Sequence, residues 1–273
     1  MKSQAIIREV KSFGSELRRY VGILRALLRQ EEESRRHAPM EAILELTEPL
    51  FLIATMCMFR FMFERASSPA GMISPLGGSI ILYYASGLLP KYLFIYVSVK
   101  RIGPAVAGPR RRFPIQRRLD SLIVHVILRT IDFTLLGILV FGGLYFLDTH
   151  EAFPYKFTPV ILGASASISL GFCWGIINIQ LRRFIWGWQF FGMGINRGMI
   201  IMSGCLFLPD FLSPTMRYWI SFNPEMHAIA LFRTAFYPHY PMTLLDTNYL
   251  AYCCIFAVLF ALALERVTRR IDQ

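Results

Sequence analysis

Few residues in this sequence have the types and spacing to do covalent chemistry. The five histidines form no H-E-x-x-H zinc pattern, and no G-x-S-x-G offers a nucleophile at a strand–helix elbow. Cys57, Cys173, Cys205, Cys253 and Cys254 lie in or beside apolar runs, without metal-ligand spacing to histidine. They read as small apolar residues of an interior. A P-loop needs a lysine directly after glycine. Lys2, Lys11, Lys91, Lys100 and Lys156 all follow other residues, so no ATP site of that kind is expected. The expectation is no catalytic residue, no cofactor and no metal.

What remains is charge in unusual places. Arg129 and Asp132 sit in an apolar run at i, i+3 on one helix face. They either pair with each other or line a polar conduit. Arg197, in GINRGMIIMSG, is another intramembrane charge that requires protein or water around it. One acid–base pair is thin material for a proton relay. A transporter built this way has to borrow its energy from a partner.

Composition says what positions these groups. The chain has 273 residues, of which 55% are hydrophobic and 17% charged, with a formal net charge of +11. Its mean hydropathy is +0.45. Long apolar runs with few charges mark an all-α integral membrane protein. The positive balance then reads as the cytoplasmic Lys/Arg excess of membrane proteins, and no nucleic acid partner is expected. No cleavable signal is legible near the N-terminus, so the first span is expected to act as its own insertion signal.

Residues 1–46 carry apolar positions at helical spacing, from Ile6 to Leu28, with arginines on much of the other face. They are expected to form a cytoplasmic amphipathic helix in the headgroup region, or else a solvated helix packed on a partner. Residues 47–273 are expected to hold six spans, near 47–63, 78–99, 121–147, 158–179, 185–207 and 247–264. Small residues from Gly163 to Ser169 would let a neighbour approach the fourth span closely.

Lys and Arg are expected to place both termini of the multi-pass chain on the cytoplasmic side. The internal loop 100–120 holds Arg110, Arg111, Arg112, Arg117 and Arg118, broken by glycines and prolines. It reads either as the positive-inside signal alone or as a docking surface for a cytoplasmic partner and anionic lipid. Trp186, Trp188, Phe190 and Phe191 read as an interfacial belt, with a sugar-stacking surface as the sharper alternative. Between spans five and six, Ser203–Pro238 is too broken by Pro209, Pro214 and Pro224 to be a span, yet too apolar for a wet loop. Short helices dipping back from the outer surface would satisfy that combination.

These residues together resemble the membrane-spanning permease subunit of type-2 ABC transporters, in the capsular-polysaccharide and O-antigen exporter branch. Leu27, Leu28, Arg29, Glu48 and Pro49 match the family's entry, and Pro114 and Asp120 match the segment before span three. The closest match is Arg197, Ser203 and Gly204, then Pro209, then Asn223, Pro224, His227 and Arg233. The similarity runs through nearly the whole chain in order and spacing. MEAILELTEP departs from the family's usual GYLW before Glu-Pro.

The resemblance implies a homodimer with a conduit between the copies, and one cytoplasmic ATP-binding subunit docked on each. The N-terminal helix and the 100–120 loop would receive the ATPase motion. Residues 208–240 would form a re-entrant outer gate containing Pro209, Asn223, Pro224, His227 and Arg233. The cargo would be a polysaccharide or lipid-linked glycan, with periplasmic and outer-membrane export proteins as further partners.

Other readings were weighed against this one. The same architecture would suit a lipo-oligosaccharide or a small molecule. A membrane-embedded glycosyl or phosphoryl transferase would want acidic residues at the cytoplasmic face, where Asp120 stands alone between Lys100 and Arg129. A passive channel or scaffold would need no ATPase at all.

Overall fold

The computed structural model describes residues 21–22, 25–29, 33, 39–65, 75–98, 118–147 and 150–271. The chain is all-helical over these residues. Its long elements are α1 (Pro39–Arg65), α2 (Ile80–Ser98), α3 (Arg118–Phe146), α4 (Phe157–Phe184), α5 (Trp188–Met202) and α8 (Thr247–Ile271). Two short helices, α6 (Pro214–Ser221) and α7 (Pro224–Arg233), lie between α5 and α8.

Four stretches are long and apolar enough to cross a membrane: Ile80–Ser98, Leu122–Phe146, Phe157–Arg182 and Thr247–Thr268. These match the second, third, fourth and sixth expected spans. The first expected span lies inside α1. That helix runs unbroken through the expected boundary at residues 46 and 47, with Pro49 in its interior. The fifth is shorter than expected. α5 has 15 residues, or about 22 Å at 1.5 Å per residue, against roughly 30 Å of hydrocarbon. It stops because Ser203 caps it and Gly204 turns the chain at φ 68°, a left-handed conformation that glycine adopts freely.

The element at the centre is α2. Every residue from Leu82 to Ser98 is buried, and only Ile81 of this helix is exposed. A helix that is apolar all round belongs in an interior. α1, α3, α4 and α7 pack around it, and α8 completes the bundle against α4.

The close packing rests on α4. Gly163, Ser167, Gly171 and Gly175 recur every fourth residue and so lie along one face. A Cβ at Gly163 would sit 2.9 Å from the Ala228 carbonyl oxygen on α7. Cβ atoms at Gly171 and Gly175 would sit 2.8 Å from the Phe94 and Ser98 carbonyl oxygens on α2. The expected close approach at the fourth span is therefore made by two neighbours, α7 at one end and α2 at the other.

Within the expected N-terminal amphipathic region, Leu27 is buried against Val124 and Leu128 near the start of α3, while Arg25 and Arg29 are exposed. The loop expected to be cytoplasmic, with Arg110, Arg111, Arg112 and Arg117, lies outside the described residues, as does Pro114. Arg118 is the first residue of α3, and Asp120 lies in its first turn.

Candidate functional site: a buried polar knot

The broken stretch folds by local rules. Ser213-Pro214 and Asn223-Pro224 each place a polar cap residue before a proline at the first helical position. Proline loses nothing there, because that N–H has no intrahelical partner. The Ser213 hydroxyl accepts from the Met216 N–H, and the Asn223 side-chain oxygen accepts from the Glu225 N–H at 3.1 Å. Pro209 opens a single 3-10 turn through Phe211, after Leu208 and without a side-chain cap. Arg217 then donates to the Leu212 carbonyl at 2.9 Å and to the Asp210 carbonyl, fastening that turn to α6.

Long-range bonds tie these short helices to the bundle. The Asn223 amide donates to the Met202 carbonyl at 3.0 Å, joining the start of α7 to the end of α5. His227 accepts at Nδ1 from the Asp246 N–H at 3.1 Å, which leaves its proton on Nε2, 2.8 Å from the Ser221 carbonyl. Burial holds this imidazole below its ordinary pKa. The Tyr249 ring lies edge-on to His227, and its hydroxyl donates to the Phe222 carbonyl at 2.8 Å. One histidine and one tyrosine thus join the end of α6, the start of α7 and the start of α8.

The deepest contacts are ionic. Arg233, fully buried at the end of α7, donates to the Gly204 carbonyl at 3.0 Å and the Cys205 carbonyl at 2.6 Å. Its guanidinium lies 4.3 Å from the centre of the Tyr83 ring on α2. Gly87 makes room for it. A Cβ there would lie 2.3 Å from an Arg233 nitrogen and 2.5 Å from the Cys205 carbonyl oxygen. One turn further along α2, Lys91 donates to Glu225 at 2.5 Å, with both side chains buried. Lys91 also stacks over Phe94 at 4.6 Å.

Taking two charges out of water is expensive, and only a close, well-partnered geometry offsets it. α7 is therefore held to α2 at both of its ends, by Glu225 at the first and Arg233 at the last.

Of the residues singled out from sequence, Ser203, Gly204, Pro209, Asn223, Pro224, His227 and Arg233 converge on this knot. Glu225 and Lys91 join them, and sequence reasoning did not single them out. A lysine in an apolar span demands an anion, and the NPE triplet supplied one inside the broken stretch.

Arg129 and Asp132 form a second cluster on α3. They pair with each other at 3.5 Å, and Arg129 lies over the Tyr96 ring at 5.6 Å. The Tyr96 hydroxyl donates to Glu48 on α1 at 2.6 Å, so the Glu48-Pro49 pair meets the same cluster. Arg197 is in neither cluster. It is exposed on α5, on the side that carries Phe190, Phe191, Ile201 and Met202. Trp188 is fixed to α4 through Asn178 at 2.8 Å, whereas Trp186 stands free of the bundle.

Among the described residues no group of three metal-ligating side chains assembles. What the knot does is fix short helices against long ones. No protein-family model matches this sequence, and no curated protein sequence matches it.

Proposed function

We propose that this chain is the membrane-spanning permease subunit of an ATP-driven exporter of the type-2 class, moving a capsular or other cell-surface polysaccharide across a bacterial inner membrane. The observation that carries this reading is the pair of short helices between α5 and α8, locked to the central helix by Lys91–Glu225 and Arg233. Helices of 8 and 10 residues reach only about 12 and 15 Å, so they cannot cross the bilayer. Folded back at one end of the bundle, they make a re-entrant gate whose position is set by α2. Their ends coincide with the residues on which the resemblance to that class rests.

In this reading α1 and the short α5, which a locally thinned bilayer accommodates, complete six spans, and both termini are cytoplasmic, in keeping with the distribution of Lys and Arg. Two copies enclose the conduit, and the exposed Arg197 faces it, where an anionic or hydroxyl-rich glycan passes. Arg110, Arg111, Arg112, Arg117 and Arg118 form the docking surface for the ATP-hydrolysing subunit. This chain itself is not an enzyme.

The test is copurification. The chain is expected to bring down a Walker-motif ATPase encoded beside it, and loss of the chain is expected to trap glycan in the cytoplasm. A purified chain that binds no ATPase in its own membrane extract sinks the exporter reading. Cytoplasmic accumulation of a lipo-oligosaccharide or small molecule instead would keep the architecture and change the cargo.

A further inference from the structure

Between α2, α3, α4 and α7 lies a cleft of about 1020 Å³, apart from the polar knot. Phe133 and Leu93 line its deep end, and Tyr145, His150, Phe153 and Tyr155 line its mouth. None of the described residues that line it is Asp, Glu, Lys or Arg. The one hydroxyl well inside, on Thr134, already donates to the Thr130 carbonyl at 2.7 Å. The cleft therefore offers a guest neither a counter-charge nor a spare deep donor, and such a cavity accepts apolar matter.

Two glycines keep it open. Gly137 and Gly142 line the cleft in mid-helix, and a Cβ at either would meet nothing within 4 Å. They differ from Gly163, Gly171 and Gly175, whose missing Cβ atoms admit a neighbouring backbone. Glycine inside a helix costs roughly 1 kcal/mol relative to alanine. Among the described residues no contact accounts for that cost at these two positions, whereas an occupant of the cleft would.

The length of the cleft identifies the occupant. From Phe133 to Tyr145 along α3 is about 18 Å at 1.5 Å per residue. One leaflet of the hydrocarbon core is about 15 Å deep, half of roughly 30 Å. The mouth carries the amphipathic aromatics that sit at headgroup level. Lys156 stands exposed beside it at the start of α4, where a phosphate would meet both its ammonium and the positive end of the helix.

We propose that this cleft is a binding site for an acyl chain of a membrane phospholipid in the leaflet at the α3–α4 end of the bundle. It rests on the chain spanning a bilayer and not on the identity of any cargo.

The experiment reconstitutes the full chain in nanodiscs of phosphatidylethanolamine and phosphatidylglycerol doped with a phospholipid carrying a diazirine on one acyl chain. After photolysis, labelled peptides are quantified by mass spectrometry. Labelling of 133–145 and 153–160 is expected several-fold above that of the outward face of α8, at Phe256 and Leu259. Filling the cleft with Gly137→Leu and Gly142→Leu is expected to bring it down to the α8 level, with α8 labelling unchanged.

Labelling equal to α8 in the wild-type chain overturns the proposal while leaving the membrane reading intact. That comparison needs no variant to fold. Absence of labelling on every helix overturns both. Disulfide-linked dimers through Gly142→Cys would show that a second copy fills the cleft, and would overturn it as well.

Discussion

At the scale of single residues, the knot is held by groups that are safe only in pairs. Replacing Lys91 by methionine leaves Glu225 buried without a counter-ion. The expected loss is about 3–5 kcal/mol, the range for breaking one side of a buried pair. Lys91→Met with Glu225→Gln is expected to recover most of it, because the uncompensated charge is gone. Thermal unfolding of both variants in detergent checks this, and equal losses would mean that the pair is not the source.

His227 gives a pH dependence. Its pKa is lowered in the fold, so the unfolded chain binds more protons as pH falls below the ordinary imidazole value of 6.5. Its contribution is fully present above about pH 6.5 and fades as pH falls further, when Nδ1 can no longer accept from Asp246. Unfolding midpoints between pH 7.5 and 5 should fall more steeply for the native chain than for His227→Gln; parallel curves would remove the role.

At the scale of elements, the glycines separate into two kinds with opposite responses. At Gly171 an added Cβ meets a backbone carbonyl at 2.8 Å, which cannot swing aside as a side chain can. Gly171→Ala is expected to destabilise by about 1–3 kcal/mol, the cost of overpacking outweighing the gain in helix propensity. At Gly143 on α3 the Cβ enters open space, so Gly143→Ala is expected to stabilise by roughly 0.5–1 kcal/mol. Opposite shifts in melting temperature are the signature, and shifts of the same sign would contradict the packing of α4 on α2.

Element type was legible where the rule is local. The prolines at 209, 214 and 224 announced a broken stretch of short helices, and long apolar runs announced α2, α3, α4 and α8. The end of α5 was not legible, because its apolar character continues through Leu206, Phe207 and Leu208. The helix stops where Gly204 turns, and it turns there because Arg233 holds the Gly204 and Cys205 carbonyls.

For the whole molecule, the proposed exporter requires that motion at a docked ATPase reach the short helices. Among the described residues α2 is the element that packs on α1, α3, α4 and α7 together, so in that reading a push at the docking side would reach α7 through it. Arg111→Glu with Arg112→Glu is expected to reduce ATPase copurification and export together. Retention of both would remove the docking role from that loop. Arg233→Lys, which keeps the charge but loses the planar fork that spans two carbonyls, is expected to lower export while ATPase binding persists. If ATPase binding falls in step with export, Arg233 serves the fold as a whole and not the gate.

The sequence by itself determined the long apolar helices, the proline breaks between the last two of them, and the absence of an ATP-binding or metal motif. Each depends on composition or on residues within a few positions of one another. It also marked seven residues of the knot, though not what they hold. Only the tertiary structure decided that Lys91 meets Glu225 and that Arg233 reaches Gly204 across Gly87. It also decided that Gly137 and Gly142 face an open cleft, unlike the packed glycines of α4. Such pairings join residues far apart in the chain, and a glycine's role is set by whatever stands where its side chain would be.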